Sequence, residues 1–484
     1  MPDTIEIIKI NEVMMKIIAD PGVMMELSTV LTFMVPGYQF MPSYRNKMWD
    51  GKIRLLNYRN HELYVGLLNE VKLFAESRNY ELVVDEELLS KKSFSTREAK
   101  HFFDSLNLPF QPRDYQIKSF MHAIRDHRGL ILSPTGSGKS FIIYLILKYY
   151  NKKTLLIVPT ISLVTQMKSD LISYGVDEQD IHTITAGAKK ESDRGIVIST
   201  WQSIYKQDED YFQQYEVVFG DECHLFKSKS LIEIMTKLTK CKYRFGFTGT
   251  LDGTVTHKLV LQGLFGEVKQ FTKTVELIKD EHLSPFNIKC LILKHTDEEC
   301  KNVSRLNYQD EMVYLVSNNR RNKFIVNLAV SLRGNSLLLF QYVEKHGKIL
   351  YDLIRKIAPE REVHFVHGGI GAEEREAVRE RIQSNNNDTG VIIIASYGVF
   401  STGINAPNLS NVVFCSPSKS RIRNLQSIGR VLRVSEGKNT AVLYDIADDL
   451  KHKTKINFTL KHFIERIKIY NEENFNYKFY NITL

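Results

Sequence analysis

The chain has 484 residues, 43% of them hydrophobic and 25% charged, and a formal net charge of +9. That length accommodates about three domains of ~150 residues and buries several cores without cross-links. No apolar run approaches the ~20 residues of a membrane helix, and the N-terminus MPDTIEIIKI lacks the basic start and apolar stretch of a secretory signal, so a cytoplasmic protein without a membrane partner is expected. The five cysteines (Cys223, Cys241, Cys290, Cys300 and Cys415) form no C-x-x-C pair, which argues against a disulfide framework or a zinc finger. The positive charge fits either a mildly basic protein or one with a polyanionic partner, of which nucleic acid is the commonest.

Residues 1–107 show a few strands and helices but no α/β series, and are expected to form a small α+β domain. Within it, KIRLLNY (52–58) and LYVGLL (63–68) read as a hairpin joined by RNHE. Basic and aromatic residues interleave there, among them Arg45, Lys47, Trp49, Lys52, Arg54 and Tyr58. Such a surface can contact phosphates and stack on bases; equally, the aromatics can fill a small core while the charges solvate its outside.

From 108 to 282 short apolar runs alternate with helical stretches. GLILS (129–133), TLLIVP (154–159), GIVIST (195–200), YEVVFGDE (215–222) and YRFGFTGT (243–250) read as buried strands. Helices fit 138–150 and 161–174. This is the pattern of a parallel sheet wrapped by helices. SPTGSGKS (133–140) follows the first strand and opens the first helix, the context a phosphate loop requires. Gly136 and Gly138 let the backbone curl so that its N–H groups line a phosphate cradle formed by Ser133, Pro134, Thr135, Gly136, Ser137 and Gly138. Lys139 is expected on the β- and γ-phosphates of ATP and Ser140 on Mg²⁺. The usual first glycine of the pattern is replaced by Ser133.

GDECHL (220–225) places two carboxylates, a thiol and an imidazole together. In isolation it could be a metal site, a catalytic site or a polar loop. Its position at the end of a buried strand, after a phosphate loop, selects the catalytic reading. Asp221 is expected on Mg²⁺ and Glu222 on the attacking water. Cys223 is expected to pack as a small hydrophobe, and His224 has no second Cys or His at ligand spacing.

A second α/β series spans 283–450, with strands NSLLLF (335–340), EVHFVH (362–367), GVIIIAS (390–396), NVVFCS (411–416) and TAVLYDI (440–446), and a helix over 373–383. QSIGRVLR (426–433) carries Arg430 and Arg433, which share a face if helical. Two guanidinium groups there suit a γ-phosphate transition state. The basic tail 451–484 reads as an amphipathic helix with Phe458, Phe463, Ile464 and Ile467 near one face, either solvated or laid against a domain or nucleic acid. No insertion resembling a strand-separating wedge is evident.

The order of these motifs over 108–450 resembles a superfamily 2 helicase or translocase. PRDYQ (112–116) resembles the Q motif, SPTGSGKS motif I, VPTISLVTQ (158–166) motif Ia, DECH motif II, TGT (248–250) motif III, LLLFQYVEKHG (337–347) motif IV, ASYGVFSTGINAPN (395–408) motif V and QSIGRVLR motif VI. The resemblance implies two tandem RecA-like domains, after the small α+β domain, with ATP bound between them. It implies that Gln116 reads adenine with support from Arg113, and that Gly403 and Asn405 lie at the nucleotide. Asn405 stands where many relatives carry Asp, which removes a carboxylate from the ribose contact. It also implies nucleic-acid contacts from Thr160, Thr200 and Thr402, and coupling through His224, Thr248, Thr250 and Gln426. TGT at motif III resembles DNA-directed members more than the S-A-T of DEAD-type RNA helicases. The segment 47–71 resembles the N-terminal domain of the recombination and repair helicases of T-even bacteriophages. That likeness implies 3′→5′ action on forks, Holliday junctions and R-loops, DNA with branched or single-stranded regions as partner, RNA–DNA hybrids and other recombination proteins as further partners, and the bacterial host cytoplasm as location. An ATP-driven clamp or annealing factor, or an RNA helicase, remains an alternative.

Overall fold

The computed structural model describes residues 3–484 except 186, 227, 385–388, 400–407, 419, 436–437 and 439. Its contacts divide the chain into two compact units, one of residues 1–133 and 138–271, the other of 134–137 and 272–484.

The first unit is built on a seven-stranded, wholly parallel sheet. Its order is Val268–Gln270, Arg128–Leu132, Tyr243–Thr248, Val217–Asp221, Thr154–Val158, Ile196–Thr200 and Ile181–Ile184. These strands are apolar at nearly every position because both faces are covered. Alternate residues feed two separate cores. Ile131, Leu156, Ile198 and Phe219 enter one with the helix Lys139–Tyr150, while Leu130, Leu155, Val197 and Val218 enter the other with the helices Lys229–Lys237 and Val255–Phe265.

The N-terminal residues add a four-stranded sheet of order Glu62–Tyr64, Met14–Ile18, Thr4–Lys9 and Glu81–Val84, with its own core. The hairpin expected over 52–68 does not form. Lys52–Arg54 pairs with Thr32–Met34, and Glu62–Tyr64 pairs with Met14–Ile18; a single bridge, Asn57 to Glu62, links the two stretches. The local pattern was right for strands, but the partners are distant in sequence. Leu63 and Val65 bury themselves against Met15 and Ile17, and that burial outweighs a local turn. Polar contacts tie this sheet to the α/β layer: Arg128 Nη2 donates to the Glu12 carbonyl at 3.1 Å, and Gln262 Nε2 to Glu70 at 3.0 Å.

The second unit carries another seven-stranded parallel sheet, ordered Val363–Val366, Ile392–Ser396, Asn335–Phe340, Leu409–Phe414, Ala441–Asp449, Phe286–Lys294 and Tyr477–Thr483. The basic tail is thus more than a helix. After the helix Phe458–Glu472 it contributes the strand Tyr477–Thr483, paired with Phe286–Lys294. Of the four apolar residues expected near one face, Phe463 is buried and Ile467 half-buried, so the expectation holds only in part. Phe463, Arg466, Ile469 and Tyr470 are buried, whereas Phe458 and Ile464 are exposed. Arg466 can face inward because the buried Asp445 carboxylate meets it: Nη2 lies 2.7 Å from Oδ1 and Nε 2.9 Å from Oδ2, and Tyr470 donates to the same carboxylate at 2.8 Å. The buried Glu311 carboxylate caps the helix start, accepting from the backbone of Phe458 and Thr459 at 2.9 and 2.7 Å.

Breaking the Arg466–Asp445 pair from one side leaves a buried carboxylate uncompensated. Arg466→Ala is expected to destabilise the second unit by roughly 3–5 kcal/mol, read as a lowered thermal transition of the full chain. The double change Arg466→Leu with Asp445→Leu is expected to restore most of the loss.

Candidate active site

Every strand of the first sheet points its carboxyl end to the same edge, and the segments with chemistry lie there. The phosphate loop follows Arg128–Leu132, the acidic pair ends Val217–Asp221, and TGT ends Tyr243–Thr248. The strand Tyr243–Thr248 runs between the other two, with Thr248 opposite Leu132 and Phe247 opposite Asp221.

The loop turns through left-handed backbone at Gly136 and Gly138, at φ 83° and 80°. Gly138 caps the helix Lys139–Tyr150, whose N-terminal N–H groups and partial positive charge suit an anion. Ser137 Oγ closes the loop onto the Pro134 carbonyl at 2.7 Å. Gln116 is buried beside the loop: a Cβ added to Gly138 would fall 2.6 Å from Gln116 Nε2. Gln116 Oε1 accepts from the Arg113 backbone at 2.9 Å, and Arg113 Nη1 donates to the Tyr115 hydroxyl at 3.0 Å. The structure therefore places Arg113 and Gln116 together, with Gln116 beside Gly138.

Asp221 is buried, and its Oδ1 has no hydrogen-bond partner. Burial, then the neighbouring Glu222 carboxylate, push it up to about 7, against the pull of the Lys139 ammonium. A buried carboxylate oxygen left unmatched in this way favours a cation. With the Ser140 hydroxyl it makes a hard-oxygen donor set that fits Mg²⁺, which takes few protein ligands and keeps several waters. Ser140 Oγ is 2.9 Å from the Tyr174 hydroxyl, a contact that no sequence motif announces. Among the described residues no cluster of three or more His, Cys, Asp or Glu side chains is placed to hold a metal by itself. Cys223 lies in the apolar core beside Gly246 and Phe265, and burial raises its thiol well above the usual range.

Glu222 sits in the left-handed region at φ 49° and ψ 45°, a costly conformation for a non-glycine residue. Its carboxylate lies 3.3 Å from His224 Nδ1, which is also 3.0 Å from Thr248 Oγ1. Thr248 Oγ1 donates its one proton to the Thr250 carbonyl at 3.0 Å, so it accepts from His224 and Nδ1 carries the proton. A second histidine braces this chain. His257 Nε2 reaches the His224 carbonyl at 2.8 Å, and its Nδ1 is 2.9 Å from Asp252. Burial opposes the charge on Asp252, but His257 and Thr254 together hold that carboxyl well below its usual range. Glu222, His224, Thr248 and Thr250 are thus one connected group. His257, Asp252 and Tyr174 were not read from the sequence, since they belong to no recognisable spacing.

Thr160 and Thr200 follow adjacent strands on the same edge. Thr160 caps the helix Ile161–Ser173, and Thr200 Oγ1 is 2.9 Å from Ser203 Oγ. In the second unit Gln426 and Arg430 lie on the helix Arg421–Val431, while Arg433 falls just past its end, so the two arginines do not share a helical face. Thr402, Gly403 and Asn405 lie outside the described residues. Arg45, Lys47, Lys52 and Arg54 are exposed on the N-terminal ribbon, where Arg54 is paired with Asp50 at 2.5 Å.

Three family models match the chain: the N-terminal domain of DNA helicase UvsW over residues 8–85, the res subunit of type III restriction enzymes over 109–253, and the helicase conserved C-terminal domain over 320–435. The ATP-dependent DNA helicase uvsW of phage T4 is 34% identical over 486 aligned residues, covering 95% of each chain. The chain belongs to the UvsW helicase family. It is an ATP-dependent helicase of superfamily 2, with the tandem RecA-like architecture of that group. The crystal structure of T4 UvsW matches with a TM-score of 0.52, 30% identity and 99% of each chain covered. The DNA 3′-5′ translocase XPB2 of Sulfurisphaera tokodaii is 24% identical, over 69% of this chain and 82% of that one.

At Gly138 an alanine would pay for the left-handed backbone, about 1–2 kcal/mol, and would press on Gln116. Gly138→Ala is expected to lower the thermal transition by a few degrees and to weaken ATP binding by about tenfold, the latter measured by titration with a fluorescent ATP analogue.

Proposed function

We propose that this family member is a DNA motor that separates strands at branched DNA, such as forks, Holliday junctions and R-loops, moving 3′→5′ in phage recombination, repair and replication within the host cytoplasm. The observation that carries the motor reading is the unbroken chain Glu222–His224–Thr248–Thr250. It joins the hydrolytic carboxylate to a segment at the mouth of a neighbouring strand. The relatives' names, a DNA helicase and a DNA 3′-5′ translocase, support the substrate and the direction. The net charge of +9 suits a polyanion.

In this reading the loop 133–138, through the backbone N–H groups of residues 135–138, and the Lys139 ammonium hold the phosphates. Arg113 and Gln116 address the adenine, and Gly403 and Asn405 complete the nucleotide site. Ser140 and Asp221 hold Mg²⁺, which when bound neutralises charge on the phosphate oxygens. Glu222 takes the proton of the water that attacks the γ-phosphorus, giving ADP and phosphate. Arg430 and Arg433 stabilise the charge of the transferring group. Thr160, Thr200 and Thr402 grip the DNA backbone, with Arg45, Lys47, Lys52 and Arg54 as further phosphate contacts. A change at the Glu222 carboxylate is felt by His224 and Thr248, which with Thr250 and Gln426 pass the nucleotide state to the grip.

Lys139→Ala is expected to abolish DNA-stimulated ATP hydrolysis while leaving the chain folded and able to bind DNA, measured by phosphate release and by anisotropy of a labelled fork. Retained turnover would remove Lys139 from the site.

Substrate choice is tested by running ATPase stimulation and strand displacement side by side on forked DNA, linear duplex DNA and RNA. Forked DNA is expected to give the greatest displacement. Displacement with RNA alone would make the protein an RNA helicase, and stimulation without displacement would make it a clamp or annealing factor.

A further inference from the structure

The ribbon Thr32–Met34/Lys52–Arg54 ends in an ordered tip, residues 35–51, whose apolar side chains none of the chemistry above uses. The tip is braced by its own bonds. Val35 N donates to the Gly51 carbonyl at 2.8 Å, Met48 N to Ser43 at 2.9 Å, Arg45 Nε to Gln39 at 3.3 Å and Trp49 Nε1 to Lys52 at 2.8 Å. Tyr38 packs edge-on to Tyr44 at 4.7 Å and lies on Gly51, where an added Cβ would fall 2.6 Å from the ring. These contacts leave two apolar side chains bare. Phe40 and Met48 are 73% and 74% exposed, the highest values among the exposed large hydrophobic residues described. Single exposed apolar residues are ordinary, but here the two most exposed lie on one short braced tip, with Met41 and Tyr44 also exposed. Its charged neighbours are Arg45, Lys47 and Lys52 on one side of the balance and Asp50 on the other, and Asp50 is already matched by Arg54.

We propose that this tip is the strand-separating wedge: Phe40 and Met48 press against the terminal base pair at a DNA branch, while Arg45, Lys47 and Lys52 hold the flanking phosphates. The inference rests on the DNA-motor reading above. Apolar side chains that unstack a base step need a stiff mount and a phosphate anchor beside them, because the step itself resists opening. The tip has both, and its internal bonds mean that little ordering entropy is lost on contact. The net positive charge around bare apolar groups selects a polyanion with apolar faces, as bases offer at a fork, over a second copy of the same basic surface.

The full-length double variant Phe40→Ala/Met48→Ala tests this. Both residues are solvent-exposed, so folding is expected to be unchanged. DNA-stimulated ATP hydrolysis should persist, while strand displacement on a fork should fall by about tenfold, equivalent to ~1.4 kcal/mol in the barrier. A 2-aminopurine placed at the fork junction should brighten when the wild type binds without ATP and stay dim with the variant, and Phe40→Trp should retain the signal. Displacement at the wild-type rate, or equal brightening by the variant, overturns the wedge. A wild type whose ATP hydrolysis ignores DNA overturns the motor reading instead. Loss of self-association in the variant by sedimentation, with displacement intact, would assign the patch to a second copy.

Discussion

The parallel direction of the first sheet is the constraint on which the site depends. When neighbouring strands all run the same way, their following loops emerge at one edge, and ligands meet them there. The loop after Leu132, the pair at Asp221 and Glu222, the segment after Thr248, and Thr160 and Thr200 are all such strand ends. The order of strands then decides who touches whom. Because Tyr243–Thr248 lies between the phosphate-loop strand and the acidic strand, Thr248 is within reach of His224. Their hydrogen bond is a consequence of topology, and an antiparallel strand in that slot would have carried Thr248 to the far edge.

The two adjacent carboxylates would repel if their environments were alike. The backbone separates them. Asp221 ends the strand, buried and with one oxygen unmatched, and that burial disfavours its charged form. One residue later the chain enters the left-handed region, and Glu222 stays part-exposed beside His224. Two carboxylates in different surroundings can take different work, one holding charge and one accepting a proton. The left-handed backbone at Glu222 is thus what gives the two neighbouring carboxylates different surroundings.

Both α/β series were legible from short apolar runs, and the observed strands agree with them to within a few residues, as at Asn335–Phe340 and Thr154–Val158. Runs buried on both faces and bounded by Gly or Pro carry a strong local signal. The positions of the loop 133–138 and of the acidic pair were legible for a related reason, since each is set by the strand just before it in sequence. What escaped was non-local. The hairpin expected over 52–68 failed because Lys52–Arg54 takes its partner from Thr32–Met34 across the tip. The final strand, Tyr477–Thr483, reads as polar and aromatic, and only pairing with Phe286–Lys294 makes it a strand. The buried face of the last helix was only partly legible because an arginine lies on it, and Asp445, which makes that burial affordable, is on another element. Arg433 was placed on a helix that stops at Val431.

Buried arginine also explains how the coupling strand keeps its register. Arg244, at the start of Tyr243–Thr248, is wholly buried; its guanidinium donates to the carbonyls of Leu264, Leu238 and Met235 at 3.0, 3.0 and 2.6 Å. Those carbonyls belong to the last turns of Val255–Phe265 and Lys229–Lys237 and to the residue that follows the latter. Helix C-termini carry partial negative charge and unsatisfied carbonyl groups. Three such groups therefore compensate one guanidinium, although burial still lowers its proton affinity. The strand is clamped at its amino end by two helices and bonded at its carboxyl end, through Thr248, to His224. A shift of the strand by one residue would break both sets of bonds and turn every side chain to the opposite face. Thr248 is therefore held in place by the same sheet that holds Asp221.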